Sequence, residues 1–590
     1  MNNLLPTTKE DMIERGWGSL DVILITGDAY VDHPSYGTAL IGRVLESEGF
    51  KVGIIAQPDP DDLQAFRKLG EPRLFFGVTA GNLDSMVANY TANKKIRSDD
   101  EYSPGGKPGL RPDRATLIYT NRIRQAFGKV PIVLGGVEAS MRRLAHYDYW
   151  SDTVRRSILL DSKADMLIYG MGERQVVEIA KRLNSGDGIK GLNDIRGTVI
   201  VRNSVESFSG AVIIPDFEIA KSVKTKFNEA LRLSYFENDP VRGRAVIQRH
   251  AERFVIQLPP AKPLSTKEMD AVYALPFTRR PHPSYAKEGG IPGFEAIKFS
   301  VVSHRGCPGE CSFCSLYAHQ GRIIQSRSAH SILKEIEQIA SQLDFSGTIT
   351  DIGGPTANLY EAHCALWGDK GTCKDRHCLV PEKCKSLKLG YPETVDLWRC
   401  AMKIPRVKHI FVGSGLRYDL LNDKESDEYL RELCEHHVSG QLKVAPEHCQ
   451  AHVLSLMRKP QFNVYESFVE KFDKVNRQLS KKQFIVNYFI IGHPGATLGD
   501  SLTLALKLKM MHVYPEQIQD FIPLPMTVSG AMYYTENDPF SGNKVYVAKN
   551  LRDRKLHRAL IQFKNPDNKR YVIEALRRLN KMNLMKEFYH

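Results

Sequence analysis

Three features are missing from this 590-residue sequence, and each absence excludes a class of protein. No apolar run reaches the roughly 20 residues that cross a bilayer, and the strongest run, Phe484–Ile491, is interrupted by Asn487. Residues Met1–Glu14 lack the basic start and apolar stretch of a secretory signal. No cysteine precedes Cys307, whereas a disulfide framework would distribute its bridges over the whole fold. We therefore expect a cytoplasmic protein with no membrane partner.

The first half of the chain alternates short apolar strands with helices. Runs such as Asp21–Thr26, Lys51–Ala56 and Arg73–Val78 are separated by segments with helical spacing, which predicts parallel βαβ units. We expect residues 1–195 to form an α/β domain with a doubly wound, Rossmann-like sheet. Ligands of such sheets bind beyond the carboxyl ends of the strands, which here are the loops at 26–37 and 135–138.

The remaining chain is predicted to form three further regions. Residues 196–292 are expected to bridge two large domains, with a small hairpin of Thr198–Arg202 and Ala211–Ile214 and a linker rich in proline and arginine. From residue 293 to 543, six strand–helix units follow one another, which predicts a partial (β/α)6 TIM-type barrel with its functional groups in the loops after the strands. Residues 544–590 are expected to be a basic helical tail.

Three cysteines follow the first predicted barrel strand with the spacing C-x3-C-x2-C, at Cys307, Cys311 and Cys314. Thiolates are soft ligands that suit iron–sulfur centres. Three of them on one tight loop can hold three irons of a [4Fe-4S] cubane and leave the fourth iron open to a substrate. The alternatives are a zinc site that lacks a ligand, or three free cysteines in the core.

This loop resembles the signature of the radical S-adenosylmethionine (SAM) superfamily, C-x3-C-x-aromatic-C, with Phe313 as the aromatic residue. Together with the stretches 275–285 (LPFTRRPHPSY) and 319–328, it is similar to the YgiQ family of radical SAM proteins over nearly the whole chain. The resemblance implies a [4Fe-4S] cluster, SAM as cofactor, and a flavodoxin- or ferredoxin-type electron donor. It also implies reductive cleavage of SAM to a 5′-deoxyadenosyl radical, which abstracts hydrogen from an unidentified substrate. It assigns no catalytic residue.

The same resemblance indicates SAM contacts at the ends of later strands. Gly353 and Gly354 follow the second strand, where the superfamily places a glycine pair against the methionine amine. Ribose and carboxylate contacts are expected from Ser414, Arg417, Lys443 and Glu447, because hydroxyl, carboxylate and basic groups suit those partners. Each of these residues could instead be an ordinary capping or salt-bridging residue. His493 ends the fifth strand, either beside the adenine or in a simple turn.

A second group of cysteines lies within a predicted insertion at 363–385: Cys364, Cys373, Cys378 and Cys384. Four cysteines can close a zinc site or hold an auxiliary iron–sulfur cluster. The spacing lacks paired C-x2-C knuckles, so reduced structural thiols without metal are an equal alternative.

Two partner hypotheses concern the ends of the chain. The N-terminal layout resembles the cobalamin-binding domains that precede many radical SAM cores, but the ligand signature D-x-H-x2-G is absent around His33, which disfavours cobalamin and leaves it open. The net charge is +13, and residues 544–590 carry 13 basic and four acidic side chains. Such a tail can bind RNA or DNA phosphates, or be a solvated helical face. The alternative function is therefore a nucleic-acid-associated binding protein whose iron–sulfur cluster is structural.

Overall fold

The computed structural model describes residues 3–515 and 518–589, and the chain forms two compact units. The first unit holds the chain up to Phe299 together with the short segments Ala318–Gly321 and Gly368–Gly371. The second unit holds the rest. Among the described residues, no helix is long and apolar enough to cross a membrane.

The first unit is built on one nine-stranded sheet. Its strands are, in chain order, β1 Val22–Thr26, β2 Val52–Ala56, β3 Phe75–Thr79, β4 Ile132–Leu134, β5 Met166–Ile168, β6 Thr198–Arg202, β7 Val212–Ile214, β8 Val246–His250 and β9 Arg253–Gln257. Their order in the sheet is β7-β8-β9-β6-β5-β4-β3-β1-β2.

Strands β1 to β5 form the doubly wound part of this sheet. They pair in parallel in the order β2-β1-β3-β4-β5, which is the flavodoxin-like order with its switch point between β1 and β3. All five residues of β1 are buried, because helices cover both faces of a parallel sheet and each strand must be apolar on both sides. The α/β class with a large, mostly parallel sheet is therefore confirmed.

Strands β6 to β9 continue the same sheet and do not form a separate bridging region. β6 pairs antiparallel with β5, and β9 pairs antiparallel with β6. The predicted hairpin of 198–202 with 211–214 is wrong, since β6 and β7 are not neighbours. The hairpin is instead β8–β9, which turns at Ala251 with φ of 52°. The expected boundary at residue 195 falls inside the unit, because the open edge of β5 accepts another strand.

Helices surround this sheet. They span Lys9–Glu14, Gly37–Ser47, Leu63–Arg67, Ser85–Asn89, Ala115–Phe127, Gly136–Met141, Ile158–Ser162, Glu173–Asn184, Phe217–Ser222, Lys224–Phe236, Thr266–Tyr273 and Pro292–Ile297.

The second unit contains strands at all six positions predicted for the barrel. They are β10 Ser300–Val302, β11 Thr348–Ile349, β12 Asp351–Gly353, β13 His409–Ile410, β14 Gln441–Glu447, β15 Phe484–Ile491 and β16 Ile518–Asp520, with β11 and β12 as two pieces of the second predicted strand. The pairs β10–β12, β11–β13, β14–β15 and β15–β16 are all parallel. A parallel bridge between Leu416 and Val444 links the third position to the fourth. Neighbours in the chain are thus neighbours in space.

The helices of this part of the chain lie between the strands and after the last of them. They span Leu316–Gln320, Ala329–Ala340, Leu366–Asp369, Tyr391–Ala401, Asp427–Glu432, Leu433–His437 (a π-helix), Ala451–Met457, Phe462–Gln478, Leu498–Met510, Val528–Thr535, Leu551–Ile561, Lys569–Arg578 and Met585–Phe588.

The basic C-terminal region is a packed part of the second unit. Helix Leu551–Ile561 packs against both Leu498–Met510 and Lys569–Arg578, and its apolar side chains from Leu556 to Ile561 are buried. Several cations of the C-terminal region are paired with acids. Arg558 lies 2.7 Å from Asp520, and Arg578 lies 2.6 Å from Asp553. Asp520 lies outside residues 544–590, whereas Asp553 is one of the four acids already counted within them.

Candidate active site

The C-x3-C-x2-C loop follows β10 and is shaped by a glycine. Gly306 has φ of 86°, and a Cβ atom there would lie 2.2 Å from the carbonyl oxygen of Ile323. Only glycine tolerates both the left-handed conformation and this approach. The loop is held further by Ser312, whose N–H donates to the carbonyl of Met457 at 3.0 Å. This local geometry places the three thiols on one short turn.

The donor set of this loop fits a [4Fe-4S] cluster. The thiols of Cys307, Cys311 and Cys314 are close enough to act on one another: burial raises the pKa of Cys314 to about 12, and Cys311 and Cys307 add to the effect. Among the described residues, no three His, Cys, Asp or Glu side chains converge around one point as ligands of a single ion do. Thiolates are the soft donors that a cubane takes, one on each iron, so this donor set suits three of its four irons.

Arg417 lies beside this loop but is paired within the protein. Its Nη1 atom lies 3.7 Å from the Sγ atom of Cys311, while its Nε and Nη2 atoms donate to both carboxylate oxygens of Asp419 at 2.9 and 2.7 Å. Asn358 fixes its backbone through two hydrogen bonds of 3.0 Å. The structure therefore places a buried cation next to the thiols, and Asp419 is a partner that sequence reasoning missed.

Asp351 is a second acid that the sequence analysis overlooked, and it lies against two of the predicted residues, Ser414 and Gly353. Its carboxylate accepts from the hydroxyl of Ser414 and from the Ser414 N–H at 3.1 Å. Gly353 packs against this pair, since a Cβ atom there would lie 2.4 Å from the Ser414 Oγ atom. Lys443 is exposed and donates to the carbonyl of Gly413 at 3.2 Å. Asp351 could have been found from the sequence, because it is an acid two positions before the glycine pair.

Gly354 is required for a steric reason of its own. A Cβ atom at this position would lie 2.6 Å from the ring of His304, which is buried at the end of the first barrel strand. The absence of a side chain thus lets the loop after β12 approach the loop after β10. This packing is a sufficient reason for glycine, whether or not a ligand also contacts the backbone.

Glu447 ends β14 in a strained backbone conformation, with φ of 67°. Its side chain is buried, and its Oε1 atom lies 3.7 Å from the Nζ atom of Lys459. Burial raises the pKa of Glu447 to about 7, against the opposing charges of Lys459 and Arg417. A strained, buried acid that titrates near neutral pH is typical of functional sites.

Phe313 and His493 lie against each other. Their ring centroids are 6.1 Å apart in an edge-to-face arrangement. His493 is fully buried, and its Nδ1 atom lies 2.7 Å from the Pro494 carbonyl oxygen. Its ring therefore supports Phe313 from within the protein and is not open to an adenine.

The switch point of the first unit is filled by side chains. Arg111, with 1% of its surface exposed, lies 2.7 Å from Asp28 and 3.2 Å from Asp100. His33 is also fully buried: its Nδ1 accepts from the Ser35 N–H at 3.1 Å, and its Nε2 lies 2.7 Å from Arg279. His33 and Arg111 are therefore both engaged by other side chains of the first unit.

Comparison with known proteins gives matches along nearly the whole chain. A family model described as Radical SAM N-terminal matches residues 4–300, and a model of a domain of unknown function (DUF3362) matches residues 516–587. A UPF0313 protein of Clostridium botulinum is 50% identical over 587 residues, which cover 99% of this chain and 92% of the relative. A UPF0313 protein of Methanosarcina mazei is 48% identical over 611 residues, which cover 98% and 97%.

Among solved structures, the chain is similar to the radical SAM methyltransferase TsrM from Kitasatospora setae, a structure with a tryptophan substrate and a SAM analogue bound. The TM-score is 0.48 at 15% identity, and the alignment covers 86% of this chain and 75% of that one. A second TsrM structure, with cobalamin and a [4Fe-4S] cluster bound, also has a TM-score of 0.48.

Proposed function

Because this chain belongs to the YgiQ-type family of radical SAM proteins, whose relatives are called UPF0313 proteins, we propose that it is an enzyme that cleaves SAM reductively. The [4Fe-4S] cluster would be held by Cys307, Cys311 and Cys314. The observation that carries the proposal is that this loop supplies three thiols for four irons. One iron is then left for SAM, whereas a structural cluster normally takes four protein ligands.

When bound, the reduced cluster supplies the electron that cleaves SAM to methionine and a 5′-deoxyadenosyl radical, which abstracts hydrogen from the substrate. The protein supplies binding, orientation and electrostatics. Arg417 places a positive charge beside Cys311 and is held there by its ion pair with Asp419. Lys443 is exposed and can meet the SAM carboxylate. Glu447 and Ser414 can accept hydrogen bonds from the ribose hydroxyls.

A one-electron donor of the flavodoxin or ferredoxin type is the partner that this chemistry requires. The substrate and the fate of the radical stay open in this proposal. The six parallel strands of the second unit are proposed to form the partial barrel, with Gly353, Gly354, Ser414, Arg417, Lys443 and Glu447 at one end of it. A nucleic-acid-binding role with a structural cluster has less support, because a structural cluster normally takes four protein ligands and this loop supplies three.

The test is release of 5′-deoxyadenosine by protein reconstituted anaerobically with iron and sulfide, then given dithionite and SAM. The variant carries Cys307→Ala, Cys311→Ala and Cys314→Ala together. Cys400→Ala is the matched control, because Cys400 is exposed on helix Tyr391–Ala401. We expect release from wild type and from the control, and none from the triple variant. Equal release by the triple variant would refute the proposal.

A further inference from the structure

Residues 372–388 form a segment of the second unit with an excess of positive charge. Five of its 17 side chains are basic and two are acidic, so this basic segment holds +3 of the chain's net charge of +13. Lys383 pairs with Asp423 and Glu425 at 3.5 and 3.3 Å. The other four cations are exposed and form no ion pair with the described residues: Lys374, Arg376, Lys385 and Lys388. Four cations are therefore open to a partner.

Buried apolar side chains anchor the basic segment. Leu379 and Leu387 are almost fully buried and belong to one apolar cluster of the second unit. Cys378 is buried in the same cluster, and Cys364 and Cys384 pack in or against it. The N–H of Cys384 donates to the carbonyl of Cys378 at 2.8 Å. The exposed cations are thus held on a backbone that packing and hydrogen bonding fix in place.

The basic segment contacts the loop that supplies the three thiols of the C-x3-C-x2-C motif. Cys307 packs against the apolar cluster that contains Leu379. Glu310, in the same loop, forms a buried ion pair with Arg322 at 2.8 Å. Its other carboxylate oxygen lies 3.1 Å from the Nδ1 atom of His377, within the basic segment. The segment that carries the exposed cations is therefore also the one whose inner residues contact the cluster loop.

We propose that the basic segment is the docking surface for the acidic one-electron carrier protein that reduces the cluster. This inference rests on the proposed function, because a cluster that cleaves SAM must receive an electron from a donor. One electron leaves the reduced carrier and enters the oxidised cluster, with no bond made or broken and no proton transferred. Flavodoxins and ferredoxins are acidic proteins, so a surface of unpaired cations is complementary to them. Contact with the cluster loop brings such a carrier close to the electron acceptor.

A nucleic acid is the other polyanion that cations can bind, and two features of the basic segment disfavour it. Residues 372–388 contain no Phe, Trp or Tyr, whereas surfaces that hold single strands combine cations with aromatic platforms for the bases. The acids Asp375 and Glu382 are exposed among the cations, and they repel a continuous phosphate backbone. Mixed charge with a cationic excess suits a small, transient protein contact, which is the usual kind in electron transfer.

The experiment measures docking and electron transfer separately from SAM cleavage. The full chain is reconstituted with iron and sulfide, and its affinity for an acidic flavodoxin is measured by isothermal titration calorimetry at low ionic strength. In the absence of SAM, stopped-flow absorbance follows the oxidation of flavodoxin hydroquinone to semiquinone by the reconstituted protein. One variant carries Lys374→Glu with Arg376→Glu, and a second carries Lys385→Glu with Lys388→Glu.

The control variant, Arg577→Glu with Lys581→Glu, makes the same change of net charge at exposed positions of the C-terminal region. We expect each segment variant to bind flavodoxin about tenfold more weakly than wild type and to oxidise it more slowly, because complementary charges accelerate association. The control should stay within about twofold of wild type. Salt screens exposed charges, so the difference should disappear at high ionic strength. With dithionite, which needs no docking surface, we expect every variant to release 5′-deoxyadenosine as wild type does.

Unchanged flavodoxin binding in both segment variants would overturn the proposal, as would a wild-type protein that binds neither flavodoxin nor an acidic ferredoxin. Loss of RNA retention with unchanged flavodoxin binding would assign the surface to a nucleic acid instead. Failure of the proposed function is distinguishable, because wild type would then bind flavodoxin but release no 5′-deoxyadenosine with dithionite. Circular dichroism and iron content check folding and loading. Where a glutamate pair lowers either, the corresponding glutamine pair removes the charge without reversing it and takes its place.

Discussion

The Nε2 atom of His493 lies 2.7 Å from the Oγ atom of Ser529. The same Oγ atom lies 2.7 Å from the Oγ atom of Ser312, within the C-x3-C-x2-C loop. All three side chains are buried. Ser529 thus connects the cysteine loop to the turn after β15, through helix Val528–Thr535. Ser529 is 217 residues from Ser312 and 36 residues from His493 in the sequence. No local sequence pattern therefore predicts these contacts.

Replacing Ser529 with alanine tests this connection. The change leaves His493 and Ser312 without their shared partner in a buried setting, which costs about 1–3 kcal/mol of stability. We expect a lower melting temperature of the cluster-free protein and faster loss of iron on exposure to air. Ser209→Ala, in an exposed loop, is the control. An unchanged melting temperature in Ser529→Ala would show that the contact contributes nothing.

Replacing Arg417 with methionine tests the ion pair beside Cys311. Both Arg417 and Asp419 are buried, so the change leaves Asp419 as an unpaired acid in the interior. Breaking a buried pair in this way costs about 3–5 kcal/mol. We expect a correspondingly lower unfolding midpoint in urea.

The double variant Arg417→Met with Asp419→Leu removes both charges, and we expect it to recover most of the lost stability. Even so, we expect the double variant to retain less iron than wild type, because the cation next to the thiol of Cys311 is absent. If the double variant is as unstable as the single one, the pairing with Asp419 is not what holds Arg417 in place.

The buried side chain of Glu447 is expected to make the protein less stable as pH rises. Its pKa is raised to about 7 in the folded state, whereas an unfolded glutamate titrates near 4.3. Between these values the folded chain keeps the proton and the unfolded chain loses it, so the free energy of unfolding falls as pH rises. The full effect is about 4 kcal/mol.

The glutamine in Glu447→Gln has no proton to lose, so the variant lacks the pH-dependent stability that Glu447 contributes. In cluster-free protein, we expect the stability of Glu447→Gln relative to wild type to be higher at pH 7.5 than at pH 5. Buried histidines such as His304 and His557 have lowered pKa values, so their contribution to stability increases with pH. This contribution is the same in both proteins, and it cancels when the stability of one is subtracted from that of the other. A difference that does not change with pH would mean that Glu447 has an ordinary pKa.

Gly306→Ala tests the shape of the cysteine loop. The new Cβ atom would lie 2.2 Å from a backbone oxygen, so the loop must shift. We expect the variant to bind less than half the iron of wild type at the first site, read in a background without the second cysteine group. Gly321→Ala is the matched control, because Gly321 also has a positive φ, 90°, but has open space around it. Equal iron in both variants would contradict the steric argument.

The sequence predicted those features whose cause is local. The alternation of apolar runs and helices predicted the α/β class and the positions of the strands, because burial on both faces requires continuous apolar residues. It did not predict that β6 to β9 would extend the first sheet, since an antiparallel edge strand has the same local pattern as a strand in a separate hairpin. The partners Asp351 and Ser529 were missed for a similar reason, as each contacts a residue far away in the chain. Asp419 lies only two positions from Arg417, but their pairing depends on how the fold buries both side chains.

By itself, the sequence determined the three-cysteine loop and hence the radical SAM chemistry proposed here. Three ligands within eight residues need only one turn to meet, and Gly306 permits that turn locally. Only the tertiary structure decided the environment of that loop: a buried Arg417 paired with Asp419, a Glu447 with a raised pKa, and a second cysteine group packed beside the first. These depend on which strands and loops become neighbours, and burial and charge are properties of that packing rather than of sequence spacing.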